Sequence, residues 1–227
     1  RDFVETHAVT FAFQQATFFG FLEDELAVLE HVEGERLHVG GERVGIEMLI
    51  DQRLELIDNY LSPYRKQLDE VQYKLLLTDT PLIRNTHLFA TLLDEVRRYG
   101  SFEKLTSFIS NLVFAGDPLH FYNIIFDNQQ RIFDNAEELA DVLSLIALSE
   151  QGLPESDILA ISGITRLKLS QILIANQQNL SVRNGRVIVS HQIFYDALAE
   201  RFLKDEEFIR AQREKIADYY EGMEEEM

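Results

Sequence analysis

Hydrophobic residues recur three and four positions apart from about residue 42 onward, which is the spacing of one face of an α-helix. The first stripe ends at Ser62-Pro63, and the second is closed by Gly100, which can take the left-handed conformation that caps a helix. A third helix begins after Ser101. The inward positions of the second and third helices are predicted to be Leu88, Phe89, Leu92, Leu93, Val96 and Tyr99, followed by Phe102, Leu105, Phe108, Ile109, Leu112 and Val113. We expect a helical bundle domain over residues 42–117.

Two more helices are predicted after this bundle. Asp117-Pro118 provides a cap followed by proline at the first helical position. Asn135 and Glu138 have the spacing of a capping box, and the helix that they begin is expected to end at Gly152. The apolar face of the helix that starts at Pro118 is predicted to comprise Leu119, Tyr122, Ile125, Phe126, Ile132 and Phe133.

The pattern then changes to short elements. A helix from Leu153-Pro154 ends at Gly163, and Thr165 caps the next. Two alternating runs then flank Asn184-Gly185, the dipeptide best suited to a type I′ hairpin turn, and a final helix follows. Helices, hairpin and trailing helix in this order predict a winged-helix domain over residues 118–204, followed by a C-terminal helix and acidic tail over 205–227.

Residues 1–41 are less regular. Strands are predicted at 8–13 and 36–39 and a helix at 21–32, which together would form the edge of a neighbouring domain. The expected fold class is therefore mainly α, with a helical bundle, a winged helix carrying a small β-hairpin, and short strands near the N-terminus.

Composition narrows the function classes. The net charge of −18 disfavours binding to a phosphate backbone, and the absence of cysteine, with six scattered histidines, argues against a metal site. No apolar run is long enough to cross a membrane, and the N-terminus lacks the order of a secretory signal. We expect a soluble cytoplasmic protein with neither nucleic acid nor membrane as partner.

No catalytic motif is present. The sequence has neither the phosphate-binding loop G-x-x-x-x-G-K-[ST] nor G-x-G-x-x-G, G-x-S-x-G or H-E-x-x-H. We therefore predict that this chain alone is not an enzyme and assign it no catalytic residue. A recognition helix for DNA over residues 164–178 would rely on Arg166 and Lys168, with Arg183 and Arg186 on the wing, which is few cations for an acidic protein.

His191 stands where the second predicted strand meets the last helix. It is open to two interpretations. Caps and turn residues gather at such junctions, so the histidine can be purely structural. Alternatively, an imidazole at a helix start can donate a hydrogen bond to a phosphate while its protonation remains adjustable near neutral pH.

Four segments, in this order, carry a family resemblance: RLELIDNYLSPYRKQLDEVQ, NTHLFATLLDEVRRYGSFEKL, VLSLIALSEQGLPESDIL and LSVRNGRVIVSHQIFYDALAERFL. They resemble the region that follows the ATPase core in NACHT-type signal-transducing NTPases of the STAND class, especially the nephrocystin-like and bacterial members. The resemblance covers roughly residues 36–220. It implies that residues 1–41 are the last part of an ATPase core and that the chain is a fragment of a longer parent, although a degenerate or stand-alone relative stays open.

The resemblance also implies nucleotide contacts. In this class the winged helix commonly closes over ADP, and a histidine near the end of its hairpin contacts the phosphate; His191 matches that position, with Gln192 where aspartate is usual. His87 stands where a proline beside the adenine is usual, so it either stacks on the base or is an ordinary helix-start residue. The chain alone is expected to hold no cofactor, whereas the parent would bind ADP or ATP through these two histidines.

Three functions follow as hypotheses. The first is a regulatory helical and winged-helix module that clamps the ADP-bound state of a signalling ATPase and releases it for homo-oligomerisation, for instance in bacterial antiviral defence. Its partners would be the ATPase core and the repeat or sensor domain of the same parent. The second is a nucleotide-independent interaction scaffold that ends in a winged helix. The third is a DNA-binding winged-helix regulator.

Overall fold

The computed structural model describes residues 53–133 and 136–225. The chain divides into two compact units, Arg1–Ser110 and Asn111–Met227. The described residues are predominantly helical, with a small two-stranded antiparallel hairpin near the C-terminus, so the predicted fold class is confirmed. The strands and helix predicted before residue 42 lie outside the described residues, and so does Asn135 of the predicted capping box.

The first unit is built from short helices. Helix α1 covers residues 53–61 and continues into a 3₁₀ turn, Ser62–Tyr64, where proline was expected to end it. The helices that follow are α2 (Glu70–Leu76), α3 (Pro81–Arg84), α4 (Thr86–Arg98) and α5 (Phe102–Val113). Asp69, Thr80 and Asn85 cap α2, α3 and α4 with side-chain oxygens that accept from backbone amides, which satisfies donors that a helix start leaves open.

Most of the predicted inward positions of this unit are buried. The fully enclosed side chains include Leu88, Leu92, Leu93, Val96, Leu105 and Ile109. The prediction for Phe102 is wrong, because this side chain is 68% exposed. Phe102 is the first residue of α5, and a helical stripe in sequence does not show where packing against the neighbours ends.

The prediction that Gly100 caps α4 in the left-handed conformation is also wrong. Tyr99 ends the helix with φ −65° and ψ 118°, which is extended backbone, and Gly100 does not have positive φ. The ammonium of Lys66 donates to the Tyr99 carbonyl oxygen at 2.7 Å. A cation therefore satisfies a carbonyl at this end of the helix without a left-handed residue.

The second unit contains most of the longer helices. Its elements are α6 (Pro118–Phe133), α7 (Ala136–Leu148), α8 (Glu155–Ser162), α9 (Arg166–Ala175), β1 (Leu180–Arg183), β2 (Arg186–Val189), α10 (Gln192–Phe202) and α11 (Glu206–Glu225). Three predicted helix signals are confirmed: the Asp117 carboxylate accepts from the His120 amide at 2.8 Å, Thr165 caps α9, and Gly163 ends α8 with φ 69°. Helix α7 ends at Leu148, earlier than the predicted end at Gly152.

The hairpin has the predicted turn. Asn184 and Gly185 have φ values of 51° and 75°, and positive φ at both central residues is the requirement of a type I′ turn. The strands pair from Leu180 with Val189 to Arg183 with Arg186. Leu153, between α7 and α8, forms an isolated antiparallel bridge to Val187 of β2. The order along the chain is therefore α7, the bridge residue Leu153, α8, α9 and the hairpin.

Aromatic side chains fill the core between α6 and α10. The ring centroids of Tyr122 and Phe194 lie 5.2 Å apart, and those of Phe126 and Phe202 also lie 5.2 Å apart. Leu119 and Ile132, which were predicted to face the core, are 39% and 61% exposed. Both predictions are wrong because these residues lie at the ends of α6, whereas α10 packs against its central turns.

Candidate functional site

His191 occupies the corner between β2 and α10. It is the N-cap residue of α10, with extended backbone at φ −131° and ψ 133°, and its carbonyl oxygen accepts from the amides of Phe194 and Tyr195, each at 3.1 Å. Its imidazole makes no capping hydrogen bond to the helix. The side chain that the sequence singles out thus lies at a helix start without serving as its cap.

A backbone contact fixes this corner. The Ser190 amide donates to the Asn179 carbonyl oxygen at 2.9 Å, and Leu180, the next residue, pairs with Val189 in the hairpin. The residue before His191 is therefore tied to the turn that joins α9 to β1. This contact fixes the backbone on the strand side of His191.

A buried polar network, which the sequence did not predict, supports the same turn. The Tyr122 hydroxyl donates to Asn179 Oδ1 at 2.7 Å, and Asn176 Nδ2 donates to Gln129 Oε1 at 3.2 Å and to the Ile172 carbonyl at 2.9 Å. All four side chains that form it are at most 2% exposed. Because buried amides are costly unless they are paired, the network specifies one geometry for the turn.

The imidazole of His191 is half-buried, and its Nε2 atom is inaccessible to solvent. Burial lowers the pKa of His191 below its ordinary value, because the charged form loses hydration. The ring is therefore neutral at neutral pH and has one N–H donor and one acceptor nitrogen. A nearby anion would favour the protonated form and raise the pKa.

The start of α10 suits an anion on general grounds. The His191 side chain makes no capping hydrogen bond to it, and no acidic residue lies in its first turn. The amides at a helix start carry partial positive charge, and this charge favours phosphate oxygens. Gln192, at the position where the resemblance implies aspartate, donates to the Asp196 carboxylate at 2.8 Å on the exposed side of the helix.

His87 lies in the first unit, at the second residue of α4. The side chain of Asn85 caps this helix by accepting from the Leu88 amide at 3.1 Å. The carbonyl of His87 accepts from the Thr91 hydroxyl at 3.0 Å, and its ring is half-buried. It has the location of the ordinary helix-start residue that the sequence left as an alternative, and His191 belongs to the other unit.

Two of the four cations in the DNA-binding hypothesis bind to other residues of the second unit. Lys168 forms an ion pair with Glu138 at 2.6 Å, and Arg186 donates to the Gly152 carbonyl at 3.0 Å. Arg166 and Arg183 are exposed. The solvent face of α9 also carries two apolar side chains, two helical turns apart. Leu167 is 69% exposed and Ile174 is 48% exposed.

Within residues 53–133 and 136–225, no group of three or more histidine, aspartate or glutamate side chains is placed to hold a metal ion. Among these residues no single helix is long and apolar enough to cross a membrane; α8 and α9 pass the length and composition test only as a pair bent by 118°. No protein-family model, no curated protein and no solved structure matches this chain.

Proposed function

We propose that this chain is a regulatory helical and winged-helix module of a signalling ATPase, and that it clamps the ADP-bound core of a longer parent and releases it for oligomerisation. The observation that carries the proposal is the position of His191, whose half-buried imidazole lies at the start of α10 directly after the hairpin. Because Nε2 is inaccessible, the ring would have to donate to a terminal phosphate of ADP through Nδ1, together with the helix amides.

The surroundings of His191 support this role. A detector must hold its geometry, and the corner is tied through Ser190 to Asn179, whose side chain belongs to the buried network. The corner directly follows the second strand of the hairpin, which is where the proposed winged helix would meet a bound nucleotide. The sparse cations and exposed leucine and isoleucine of α9 favour a protein neighbour over a nucleic acid.

The clamp requires a difference in affinity between two states. A nucleotide that bound the closed and open states equally would not shift their populations. We propose that ADP leaves room for the winged helix to close, whereas ATP in the core displaces the His191 corner. The interaction between a neutral imidazole and a phosphate then contributes to closure only when ADP is bound.

The test is ADP release from the full-length parent. A hydrogen bond to a charged group contributes about 1.5–3 kcal/mol, so His191→Ala should speed ADP release roughly 10- to 100-fold or produce assembly without a signal. His120→Ala, which alters an exposed histidine of α6, is the matched control and should change neither. Unchanged ADP release and unchanged assembly in His191→Ala would overturn the proposal.

A second candidate is an interaction scaffold that uses no nucleotide. Leu167 and Ile174, exposed two turns apart on α9, favour it, since exposed apolar side chains that share a helix face often mark protein contacts. Sedimentation velocity at increasing concentration would then show self-association that ADP does not affect. The double change Leu167→Glu and Ile174→Glu should abolish it, and a wild-type chain that stays monomeric throughout would count against a self-assembling scaffold.

A further inference from the structure

Two carboxylates hold the last helix, α11, against the rest of the second unit, and the first of them belongs to Asp141. Asp141 of α7 accepts from the Lys215 ammonium at 2.7 Å and also accepts from the Gln212 side chain. Gln212 is 1% exposed and Lys215 lies at the surface. This contact anchors the middle of α11.

A second carboxylate holds the C-terminal part of the same helix. Asp157 of α8 accepts from the Tyr220 hydroxyl at 2.7 Å through Oδ2 and from the Tyr219 hydroxyl at 3.3 Å through Oδ1. The two tyrosine rings pack edge to face, with centroids 5.3 Å apart. Two successive residues of α11 thus converge on one side chain of the winged helix.

The second anchor also reaches the hairpin. Arg186 of β2 donates from Nη1 to the Gly152 carbonyl at 3.0 Å, and its guanidinium lies beside the Tyr220 hydroxyl. Burial and the hydrogen bond to Asp157 raise the pKa of Tyr220 above its ordinary value, and Arg186 opposes them. Tyr220 therefore bridges α8 and the start of β2, whereas Lys215 and Gln212 contact α7.

Strand β2 connects the residue that Tyr220 contacts, Arg186, to the candidate site at His191. β2 runs from Arg186 to Val189, and Ser190 and His191 follow directly. Arg186 pairs with Arg183 at the turn, and Val189 pairs with Leu180 beside the Asn179 corner. A shift of β2 along its length would move the backbone that positions His191.

We propose that α11 is a detachable strap: its Tyr219 and Tyr220 end holds the hairpin through Asp157 and Arg186, and release of that end loosens the His191 corner. Hydrogen bonds near the surface are individually weak, so such a strap can open locally while the winged helix stays folded. Its regulatory meaning rests on the proposed function, since a loosened corner would hold ADP less tightly, but the mechanical coupling itself needs no nucleotide.

Hydrogen–deuterium exchange of the full chain, without nucleotide, tests the coupling. Tyr220→Phe keeps the ring and removes the hydroxyl that bridges Asp157 and Arg186. Loss of one such bond corresponds to roughly fivefold faster exchange in the segments that it holds. We expect this acceleration both at the end of α11 and in residues 180–192, with the core of α6 unchanged.

Lys215→Met is the matched control, because it removes the ion pair to Asp141 and leaves both the Gln212 contact and Tyr220 in place. It should accelerate exchange in α11 and leave residues 180–192 unchanged. The coupling is overturned if Tyr220→Phe accelerates only α11, or if it changes neither segment. ADP release from the parent is measured separately: accelerated exchange in the hairpin with unchanged ADP release in His191→Ala would retain the strap and reject the proposed function.

Discussion

Leu153 and Val187 exchange two backbone hydrogen bonds, from the Leu153 amide to the Val187 carbonyl at 3.2 Å and from the Val187 amide to the Leu153 carbonyl at 2.8 Å. These bonds bring the residue just before Leu153 directly against β2. Gly152 has φ 72°, and a Cβ at this position would lie 2.3 Å from Ile188 Cγ2 and 2.5 Å from the Val187 carbonyl oxygen. Only glycine fits at position 152, beside the Leu153–Val187 bridge.

Gly152→Ala should therefore lower the free energy of unfolding by about 3 kcal/mol or more, since both the positive φ and the contact with rigid backbone oppose it. Gly163→Ala is the control: its φ is 69°, but a Cβ there would meet nothing within 4 Å. It should cost only about 1–2 kcal/mol for the backbone conformation. Urea unfolding of both variants measures the difference, and equal losses would contradict the close approach at Gly152.

The buried network predicts that loss of the Tyr122 hydroxyl lowers the stability of the protein. Tyr122→Phe removes the donor to Asn179 Oδ1 and leaves that oxygen buried, which should cost about 1–3 kcal/mol of stability. Tyr64→Phe is the matched control. Its ring is 45% exposed and lies under the Arg97 guanidinium, a contact that phenylalanine retains, so the change should stay within about 0.5 kcal/mol. Thermal unfolding that ranks the two variants equally would refute a stabilising network.

The lowered pKa of His191 predicts that the free energy of unfolding depends on pH in the acidic range. Between its folded pKa and the ordinary value of about 6.5, the unfolded chain binds more protons than the folded one, so stability rises with pH in this window. The contribution is complete above about pH 6.5 and is lost as the pH falls through the folded pKa. His191→Gln should remove this part of the pH dependence. Denaturant midpoints at several acidic pH values test it, and superimposable profiles would show that the histidine does not contribute.

Alkaline conditions should affect the first unit. The Tyr60 hydroxyl donates to Asp94 Oδ1 at 2.6 Å, and burial followed by the Asp94 charge raises the pKa of Tyr60 far above its ordinary value. Its stabilising contribution is present below about pH 10, where unfolded tyrosine begins to ionise, and declines as the pH rises toward the folded pKa. Tyr60→Phe should therefore lose less stability than the wild type between about pH 9 and 11. Parallel declines for both proteins would exclude Tyr60 as the cause.

Local signals in the sequence predicted much of the fold. Asn184-Gly185 fixed the turn because few dipeptides accept positive φ twice, and Thr165 and Asp117 marked helix starts because their oxygens satisfy amides only a few residues away. The prediction for Gly100 failed because Lys66, far away in sequence, donates to the Tyr99 carbonyl beside it. Such a contact depends on tertiary packing and leaves no local pattern.

The candidate site could be predicted only in part. His191 was located at a strand-to-helix junction, and the structure places it at the N-cap of α10. The amide run at Asn176 to Asn179 gave no signal, because polar residues after a helix usually indicate a surface turn, whereas here Asn176 and Asn179 are buried against Tyr122 and Gln129. The partners of these amides lie on α6, about fifty positions earlier in the chain, and no spacing rule connects them.

The most direct measurement of the central claim is the pKa of His191 in the proposed full-length parent, followed by nuclear magnetic resonance with isotope-labelled histidine. ADP should raise the pKa of this imidazole above its value in the nucleotide-free protein, because a bound phosphate stabilises the protonated ring. The His120 resonance serves as the internal reference, and the addition of ADP should leave it unchanged. A His191 pKa that is the same with and without ADP would contradict a phosphate contact and, with it, the proposed clamp.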